Sequence, residues 1–529
     1  MRGQRRAGLE GVALVVAAGF AAPLAYLLLR TLGDPGDVLS VWLTRDTLDP
    51  LLRSLLLATT VSVATALLGT ALAWVTARTD LPAGRAWRAL LPLPLVIPSF
   101  IGAFSLIAAF APGGLVAQVL GPLGLRQPPQ LRGFWGSFLV LTLLTYPYVY
   151  LPVVARLRQL PPALEESARL LGHGPVATFR ATVLPQARSA ILAGTLLVFL
   201  YSVSEFGVVQ LMRYDTLTRT IYASRIYAPG LAIALSLLLG LIAVGVAAAE
   251  RAGGRSLRPA ETAHGSRPLV VALGRWKAPV VVFVAGTLLF SLIAPMTVLA
   301  YWALRGLLRG STRAGALVAD LSDLTAPALN TAFVGVVAAV AAVVVVLPVA
   351  YLTVRHRSRA APLANALVVG GFALPGLVTA LALVHWTLRA PVVSALYQTQ
   401  GLLVFAYVIH FGAQALRAGQ VSVAAMPPRV EDAARVLGAG RVRRLLQVEL
   451  PLMAPGLLAG AGLVLLSTMK ELPATLLLAP PGFQTLATKV WTATEDAFLA
   501  DASLAALLLV VLSGILTWLL VIRHSKALE

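Results

Sequence analysis

Two copies of one short acidic segment are the residues in this sequence best suited to binding a partner. The first, at 160–172, reads Leu-Pro-Pro-Ala-Leu-Glu-Glu-Ser-Ala-Arg-Leu-Leu-Gly, and the second, at 426–438, reads Met-Pro-Pro-Arg-Val-Glu-Asp-Ala-Ala-Arg-Val-Leu-Gly. The shift between them is 266 residues (from 160 to 426), about half of the 529-residue chain. The candidate functional residues are Glu165, Glu166, Ala168, Arg169 and Gly172 in the first copy and Glu431, Asp432, Ala434, Arg435 and Gly438 in the second.

Each copy predicts a short, exposed helix. The proline pair supplies a fixed φ at a helix start, where a missing N–H costs nothing, and carboxylates in the first turn interact favourably with the helix dipole. The final glycine is a good helix stop. Such a helix, with an apolar stripe and basic neighbours, suits docking into a groove on a partner protein. The alternative is a helix lying on the lipid headgroups, which the recurrence of the same positions in both copies disfavours.

Other chemistry is excluded by the residue types present. The chain has no cysteine, so thiolate catalysis and cysteine-bound zinc or iron–sulfur sites are excluded. It has no G-x-x-x-x-G-K-[ST] sequence, so it lacks a P-loop, and ATP would have to be hydrolysed on a separate polypeptide. The six histidines show no paired spacing. We therefore expect no catalytic residue, no metal site and no cofactor on this chain.

The elements that must position the acidic segments are membrane helices. The chain is 58% hydrophobic and 12% charged, with a mean hydropathy of +0.84. A soluble globular chain needs far more polar surface to cover itself, so a soluble enzyme is excluded. A bilayer core about 30 Å thick needs roughly 20 apolar residues per helix. Twelve such runs are predicted, at 11–31, 54–76, 89–111, 133–155, 189–211, 229–249, 278–303, 329–353, 361–388, 396–416, 454–478 and 501–522.

The placement of the cations predicts the orientation. The formal net charge is +20, from 42 Lys and Arg against 22 Asp and Glu. If both termini are cytoplasmic, most of these cations fall in cytoplasmic segments, as the positive-inside rule requires. One loop, with Arg213, Arg219 and Arg225, opposes this orientation. The excess positive charge is therefore interpreted as an orientation signal in a protein surrounded by lipid, and not as a sign of nucleic-acid binding.

The whole chain is duplicated. At the shift of 266, Leu184-Pro185 recurs as Leu450-Pro451, and further upstream Ile97-Pro98 recurs as Leu374-Pro375. We predict two six-span repeats at 1–250 and 278–529, joined by a Gly-, Arg- and Ser-rich cytoplasmic linker at 251–277. Six spans per repeat make the two repeats parallel, with a path between them, as in many transporters. A purely structural duplication is the alternative.

Three charged residues, Glu205, Lys470 and Glu471, lie within apolar runs, and Glu205 falls on Glu471 at the shift of 266. Carboxylates at such depth are expensive and usually face a cavity or a partner. Two interpretations stay open. The residues line a translocation path, or each carboxylate satisfies an unwound helix end near Gly207 or Pro473 while Lys470 pairs with a carboxylate.

The acidic segments resemble the EAA loop of permease subunits of binding-protein-dependent ABC importers. The pattern stands here as Glu166-Ser167-Ala168, Gly172 and Leu184-Pro185, and again as Asp432-Ala433-Ala434, Gly438 and Leu450-Pro451. Departures are mild, with Ser167 in place of an alanine and Asp432 in place of the glutamate. The stretches around Glu205 and around Lys470-Glu471 are similar to fused, double-length permeases of the iron(III)-type branch. Thiamine, phosphonate and polyamine permeases share much of this pattern.

The resemblance implies an all-α integral membrane protein of the type I ABC importer permease fold, with about 12 transmembrane helices as two parallel six-helix repeats. It implies that the loops couple to two copies of a cytoplasmic ATPase, which bind the ATP, and that an extracytoplasmic binding protein delivers the solute. The expected location is a bacterial or archaeal cytoplasmic (inner) membrane, with both termini cytoplasmic. Iron(III) is the expected cargo at the level of the family. An ion-coupled secondary transporter is the less favoured alternative class.

Overall fold

The chain is built from α-helices. The structure, a computed structural model, describes residues 2–33, 40–124, 130–254, 269–309, 317–356, 358–517 and 519. Within these residues, the β-type pairing is confined to one isolated parallel bridge between Thr79 and Val271.

The helices up to the predicted linker follow the predicted spans and the first acidic segment. They are α1 (Arg2–Leu32), α2 (Arg45–Arg78), α3 (Gly84–Leu90), α4 (Ser99–Phe110), α5 (Leu115–Leu120), α6 (Gly133–Thr145), α7 (Pro147–Arg158), α8 (Pro162–Leu170), α9 (Leu184–Ser204), α10 (Gly207–Leu211), α11 (Leu217–Tyr227) and α12 (Pro229–Gly254).

The helices after the predicted linker repeat this order. They are α13 (Lys277–Leu288), α14 (Ala294–Arg309), α15 (Leu317–Arg355), α16 (Ala360–Ala373), α17 (Gly376–Arg389), α18 (Gln400–Ala425), α19 (Pro428–Val436), α20 (Leu450–Met469), α21 (Pro473–Leu478), α22 (Leu486–Glu495) and α23 (Leu499–Thr517).

The span prediction is confirmed in number. Within the described residues, 11 helical segments are long and apolar enough to cross a membrane, and the count reaches 12 if one bent helix pair is a single span. That pair is α16 and α17, which meet at an angle of 103°. The run at 361–388 is therefore not a straight helix. The break falls at Leu374-Pro375, where the proline disfavours an α conformation in the residue before it.

Prolines also shift the third predicted span. The apolar run at 89–111 begins with Pro92, Pro94 and Pro98, and the long helix of this region, α4, starts only at Ser99. A proline cannot donate an intrahelical hydrogen bond, so it is tolerated at a helix start rather than inside one. The predicted start of this span at residue 89, ten residues before Ser99, is therefore wrong. Proline is the cause here as it is in the bent run at 361–388.

The residues group into two compact units. One holds Met1–Trp42, Ser224–Val244 and Gly310–Glu529, and the other holds Leu43–Ala223 and Gly245–Arg309. The first helix, α1, thus packs with α15, α16 and α18, in the unit that holds most of the second repeat. The first helix of the second repeat lies in the other unit. The boundaries predicted at 250 and 278 refer to sequence repeats, and they stay a prediction.

Each unit contains the same long-range hydrogen bond. The Ser54 hydroxyl accepts the Leu217 N–H at 2.8 Å in one unit, and the Thr331 hydroxyl accepts the Leu486 N–H at 2.8 Å in the other. Both hydroxyls also donate to a proline carbonyl one turn earlier in their own helix. The hydrogen bond to Ser54 connects the start of α11 to α2, and the hydrogen bond to Thr331 connects the start of α22 to α15. The duplication is therefore present in tertiary contacts as well as in sequence.

Candidate functional site

The first acidic segment forms the helix α8 that its residues predict. The helix starts at Pro162, after an extended Pro161, and ends at Leu170. Gly172 has a φ of +85°, in the left-handed region that favours glycine. The Gly172 N–H donates to the Arg169 carbonyl at 2.9 Å, and the His173 N–H donates to the Ala168 carbonyl at 3.1 Å. These two bonds make a Schellman motif, which turns the chain sharply at the helix end.

The second acidic segment forms the same turn at the end of α19. Gly438 has a φ of +77° and donates to the Arg435 carbonyl at 3.0 Å, and the Ala439 N–H donates to the Ala434 carbonyl at 3.0 Å. The predicted helix stops at Gly172 and Gly438 are therefore confirmed. A Cβ at either position would meet no atom within 4 Å. The requirement for glycine therefore comes from the positive φ of the backbone and not from packing.

An exposed apolar pair precedes each of these glycines. Leu170 and Leu171 are 88% and 80% exposed, and Val436 and Leu437 are 88% and 86% exposed. Four large apolar side chains this exposed, in matching places of the two copies, mark a surface that is covered by something else. We call these two pairs the apolar tips. They are not among the site residues predicted from the sequence, although an apolar pair before a glycine stop recurs in both copies.

The two acidic residues of α8 differ in their exposure. Glu165 is buried and pairs with Arg78, the last residue of α2, whose side chain is 1% exposed. Glu166 and Arg169 are exposed, and Ala168 is half-buried. Glu166 and Arg169 can therefore touch a partner directly, whereas Glu165 can act only through Arg78.

The matching residues of α19 are arranged differently. Glu431 is half-buried and lies 3.6 Å from Arg435 on its own helix, and the exposed Asp432 lies 3.4 Å from Arg435 as well. Ala434 is buried. The counterpart of Arg78 in the second repeat is Arg355, which donates to the carbonyls of Val423, at 2.9 Å, and Met426.

A second buried carboxylate lies behind α19. Glu449 accepts hydrogen bonds from the Tyr351 hydroxyl at 2.7 Å and from Arg444 Nε at 2.5 Å. Its counterpart in the first repeat is Val183, and the counterpart of Tyr351 is Trp74. The two repeats thus differ in the ion pairs around their acidic segments. Arg78, Tyr351, Arg444 and Glu449 are not among the residues predicted from the sequence. Arg78 and Tyr351 lie 87 and 98 residues from the carboxylates that they bind, and the five-residue spacing of Arg444 and Glu449 matches no i+3 or i+4 pair of an α-helix.

Each acidic segment leads into the next span through a π turn. The two turns are Phe179–Val183 and Leu445–Glu449. In the first, the Leu184 N–H donates to the Phe179 carbonyl, five residues back, and the second makes the equivalent bond. The next residue is Pro185 or Pro451, which has no N–H to continue an α-helical register, and a π turn absorbs the change. The recurring Leu-Pro pair therefore has a structural reason.

Glu205 lies where the fifth span breaks. The helix α9 ends at Ser204, Glu205 is extended, and α10 starts at Gly207. The Glu205 carboxylate accepts the Val208 N–H at 3.0 Å and the Ser99 hydroxyl at 3.0 and 3.1 Å. Its carbonyl accepts the Thr218 hydroxyl at 2.6 Å. The carboxylate thus caps the N-terminus of α10 from the residue before the N-cap, Phe206, in agreement with the second interpretation of Glu205.

Glu471 caps the equivalent break in the second repeat. Its carboxylate accepts the Ala474 N–H at 3.1 Å, at the start of α21, and its carbonyl accepts the Thr475 hydroxyl at 2.8 Å. The position of Ser99 is taken by Gly376, where a Cβ would lie 2.6 Å from the Glu471 carboxylate. Lys470 is half-buried beside it. These contacts favour a capping role, and the path-lining role of Glu205, Lys470 and Glu471 stays a prediction.

Comparison with known proteins gives one family. Residues 67–249 and 333–525 both match the family described as binding-protein-dependent transport system inner membrane component. The Fe(3+)-transport system permease protein FbpB 2 of Haemophilus influenzae is 30% identical over 475 residues, which are 88% of this chain and 88% of that protein. Each matched range contains one acidic segment, so the two matches confirm the predicted duplication.

Two shorter relatives match part of the chain. The sulfate transport system permease protein CysT of Salmonella typhimurium is 30% identical over 157 residues, 30% of this chain and 55% of that protein. The molybdenum transport system permease protein ModB of Mycobacterium tuberculosis is 31% identical over 201 residues, 36% of this chain and 74% of that protein. Similarity thus extends to transport proteins named for different cargoes.

Proposed function

This chain belongs to the family of binding-protein-dependent transport system inner membrane components, as a fused, double-length permease of an ABC importer, and we propose that α8 and α19 each dock one copy of a separate ATPase subunit. ATP is then bound and hydrolysed on those two subunits, and an extracytoplasmic binding protein delivers the solute to the opposite face. The two six-span repeats form the translocation path.

The apolar tips carry this proposal. Burying a leucine or valine side chain contributes about 1.5–3 kcal/mol, and here four such side chains project beyond rigid Schellman turns in the family's two matched ranges. Around the tips, Glu166 and Arg169 of α8 and Asp432 and Arg435 of α19 supply an exposed polar rim. An apolar centre with a charged rim is the usual composition of a protein–protein interface.

Replacing one tip leucine tests the docking. Leu171→Ser and Leu437→Ser should each weaken ATPase binding by about tenfold or more, since the lost burial is worth about 1.5–3 kcal/mol. The measurement is the amount of ATPase subunit that co-purifies with the tagged permease, together with ATP-dependent uptake. The matched control is Val392→Ser, because Val392 is 94% exposed and lies before α18, whereas α19 follows it. Normal ATPase retention and uptake in both leucine variants would show that docking occurs elsewhere.

The side of the membrane can be tested by cysteine labelling. The chain has no natural cysteine, so a single cysteine introduced at the exposed Ser167 is the sole thiol. We propose that both termini and both acidic helices are cytoplasmic, as the charge distribution predicts. A membrane-impermeant maleimide should then label Ser167→Cys only after the cells are opened. Labelling in intact cells would reverse the orientation.

Iron(III) is the cargo that we propose, because the relative that matches nearly the whole chain is named as an Fe(3+) permease. Sulfate and molybdate are the competing cargoes, since permeases named for them match shorter ranges. Vesicles that carry the complete complex should take up radioactive iron(III) when ATP and the loaded binding protein are supplied. Uptake of sulfate or molybdate but not iron would overturn the cargo and leave the docking proposal in place. Uptake without any ATPase would instead indicate an ion-coupled carrier.

A further inference from the structure

Arg78 is the point where three segments of the unit formed by Leu43–Ala223 and Gly245–Arg309 meet. It is the last residue of α2, and its guanidinium is buried against the carboxylate of Glu165 in α8. Its carbonyl accepts the N–H of Val271, near the end of the predicted linker, at 2.8 Å. One residue therefore contacts a membrane helix, the first docking helix and the linker to the second repeat.

The linker is held to the end of α2 by more than this bond. The Asp80 N–H donates to the Val271 carbonyl at 3.2 Å, which completes the parallel bridge between Thr79 and Val271. The Asp80 carboxylate accepts the Leu273 N–H at 2.8 Å and lies 2.9 Å from Lys277 Nζ. We call this set of contacts the linker clasp. Lys277 is also the first residue of α13, so the clasp ends where the second repeat begins.

The helix that leaves the clasp is anchored again farther along. After α13 the chain continues into α14, where Trp302 Nε1 donates to the Ala108 carbonyl at 2.9 Å and Arg305 Nη1 donates to the Gly113 carbonyl at 2.8 Å. These acceptors lie at and just beyond the end of α4. The segment from Lys277 to Arg309 is thus fixed at one end by the clasp and near the other end by α4.

The second repeat does not reproduce this arrangement in its described residues. Arg355 bonds to the carbonyls of Val423 and Met426 at the end of α18, and the carboxylate that matches Glu165, Glu431, pairs with Arg435 of its own helix. The connection from a docking helix through a buried arginine to a linker is therefore a property of the first repeat.

We propose that Arg78 is a positioning residue that transmits the movement of α8 to the linker clasp and so to α13, the first helix of the second repeat. The inference rests on the proposed docking of an ATPase on α8. A buried ion pair adds little net stability but holds one geometry, and the clasp converts a displacement of the α2 end into a displacement of α13. The linker thus couples the two repeats, and the clasp stays closed throughout the transport cycle.

The first test breaks the ion pair in the complete complex of permease, ATPase and binding protein. Glu165→Gln should lower ATP-dependent uptake about tenfold. This factor lies within the range of about 5 to 150 that typical coupling free energies between two sites produce. The levels of permease in the membrane and of bound ATPase are measured for each variant, so that uptake and ATP hydrolysis are compared per assembled complex. The ratio of ATP hydrolysis with iron-loaded binding protein to hydrolysis without it should fall by a similar factor. The control is Asp215→Asn, which removes exposed ion pairs to Arg53 and Arg219 in the same compact unit.

The second test locks the clasp. Cysteines at positions 79 and 271 suit a disulfide, because bridged strands lie about 4.8 Å apart, and the chain has no other thiol. Oxidised Thr79→Cys/Val271→Cys should transport as well as its reduced form. Asp80→Ala should lower uptake by loosening the clasp, and the same disulfide should restore it.

The outcomes separate the two proposals. If the wild-type complex shows no ATP-dependent uptake, the proposed function is wrong. If the wild type transports and Glu165→Gln retains full stimulation by the binding protein, the role of Arg78 is overturned. If the disulfide stops transport, the clasp must open during the cycle and the proposal is overturned. Loss of stimulation in Glu165→Gln, together with rescue of Asp80→Ala by the disulfide, supports it.

Discussion

The glycine that follows α19 determines whether the Schellman turn at the end of this helix can form. Gly438 has a φ of +77°, whereas Gly440, two residues later, is not in the left-handed region. A Cβ would meet no atom within 4 Å at either position. The same substitution, glycine to serine, therefore differs at the two positions in backbone strain and not in packing. Gly440 also precedes a helical turn, with its carbonyl accepting the Arg444 N–H, and serine is a good residue at such a position.

The expected magnitude follows from the left-handed conformation alone. An L-residue with a Cβ is destabilised there by about 1–2 kcal/mol relative to glycine. If the ATPase binds only the formed Schellman turn, Gly438→Ser should weaken its binding by the corresponding factor of about 5 to 30. Gly438→Asn should be milder, because asparagine tolerates this region, and a β-branched Gly438→Val should be the most severe. Gly440→Ser should bind as the wild type does.

The assay is a titration of purified ATPase subunit against permease in lipid nanodiscs, with membrane level and thermal stability as checks on folding. The order wild type, asparagine, serine, valine at position 438, with no loss at Gly440→Ser, would support the argument. Equal losses at the two positions would mean that the added side chain itself collides with the ATPase. No loss at either position would mean that the turn does not contribute to binding.

Three further predictions concern groups away from the docking surface. Glu205→Gln should keep most of its uptake, since the amide oxygen can still cap α10, and loss of uptake at normal expression would show that the charge lines the path. Ser54→Ala should leave the Leu217 N–H unsatisfied, costing about 1–3 kcal/mol and lowering the thermal midpoint by about 1–3 °C. Thr60→Ala should not, because the half-buried Thr60 hydroxyl donates only to carbonyls of its own helix. The hydrogen bond from the linker backbone, and then the linker lysine, hold the pKa of Asp80 below its usual value. The Asp80 contribution is therefore full above about pH 4, and the midpoint difference between wild type and Asp80→Asn should stay constant from about pH 5 to 8 and shrink below about 4.

Features set by local rules could be predicted from sequence. The acidic helices start at a proline and end at a glycine in both copies, and neither signal depends on the rest of the fold. The number of spans follows from apolar length in the same way. The bend at Leu374-Pro375 was not predicted, because the run around it is apolar on both sides of the break and mean apolarity does not report a change of direction.

The contacts that distinguish the two repeats could not be predicted. Glu165 and Glu431 occupy the same place in nearly identical segments, but one pairs with Arg78 and the other with Arg435. The partner of each glutamate depends on which side chains the end of a distant helix brings close to it. Residue spacing along the acidic segment alone does not contain this information. The one available signal was the presence of a hydroxyl donor and a carboxylate, Tyr351 and Glu449, where the first repeat has Trp74 and Val183.

The two repeats thus share the surface that we propose binds the ATPase and differ in the ion pairs around it. Identical ATPase subunits require equivalent docking turns, and the turns at Gly172 and Gly438 are equivalent to within 8° in φ (85° against 77°). The supports behind the turns are under no such requirement. A buried ion pair ties α8 to the end of α2, whereas Glu431 is bonded within α19 and Arg355 bonds instead to carbonyls at the end of α18. If the proposed function holds, the ATPase therefore docks equally on α8 and α19, but the movement of each helix is transmitted to its repeat through different contacts. Removing the carboxylate of Glu165 should then lower transport more than removing the carboxylate of Glu431.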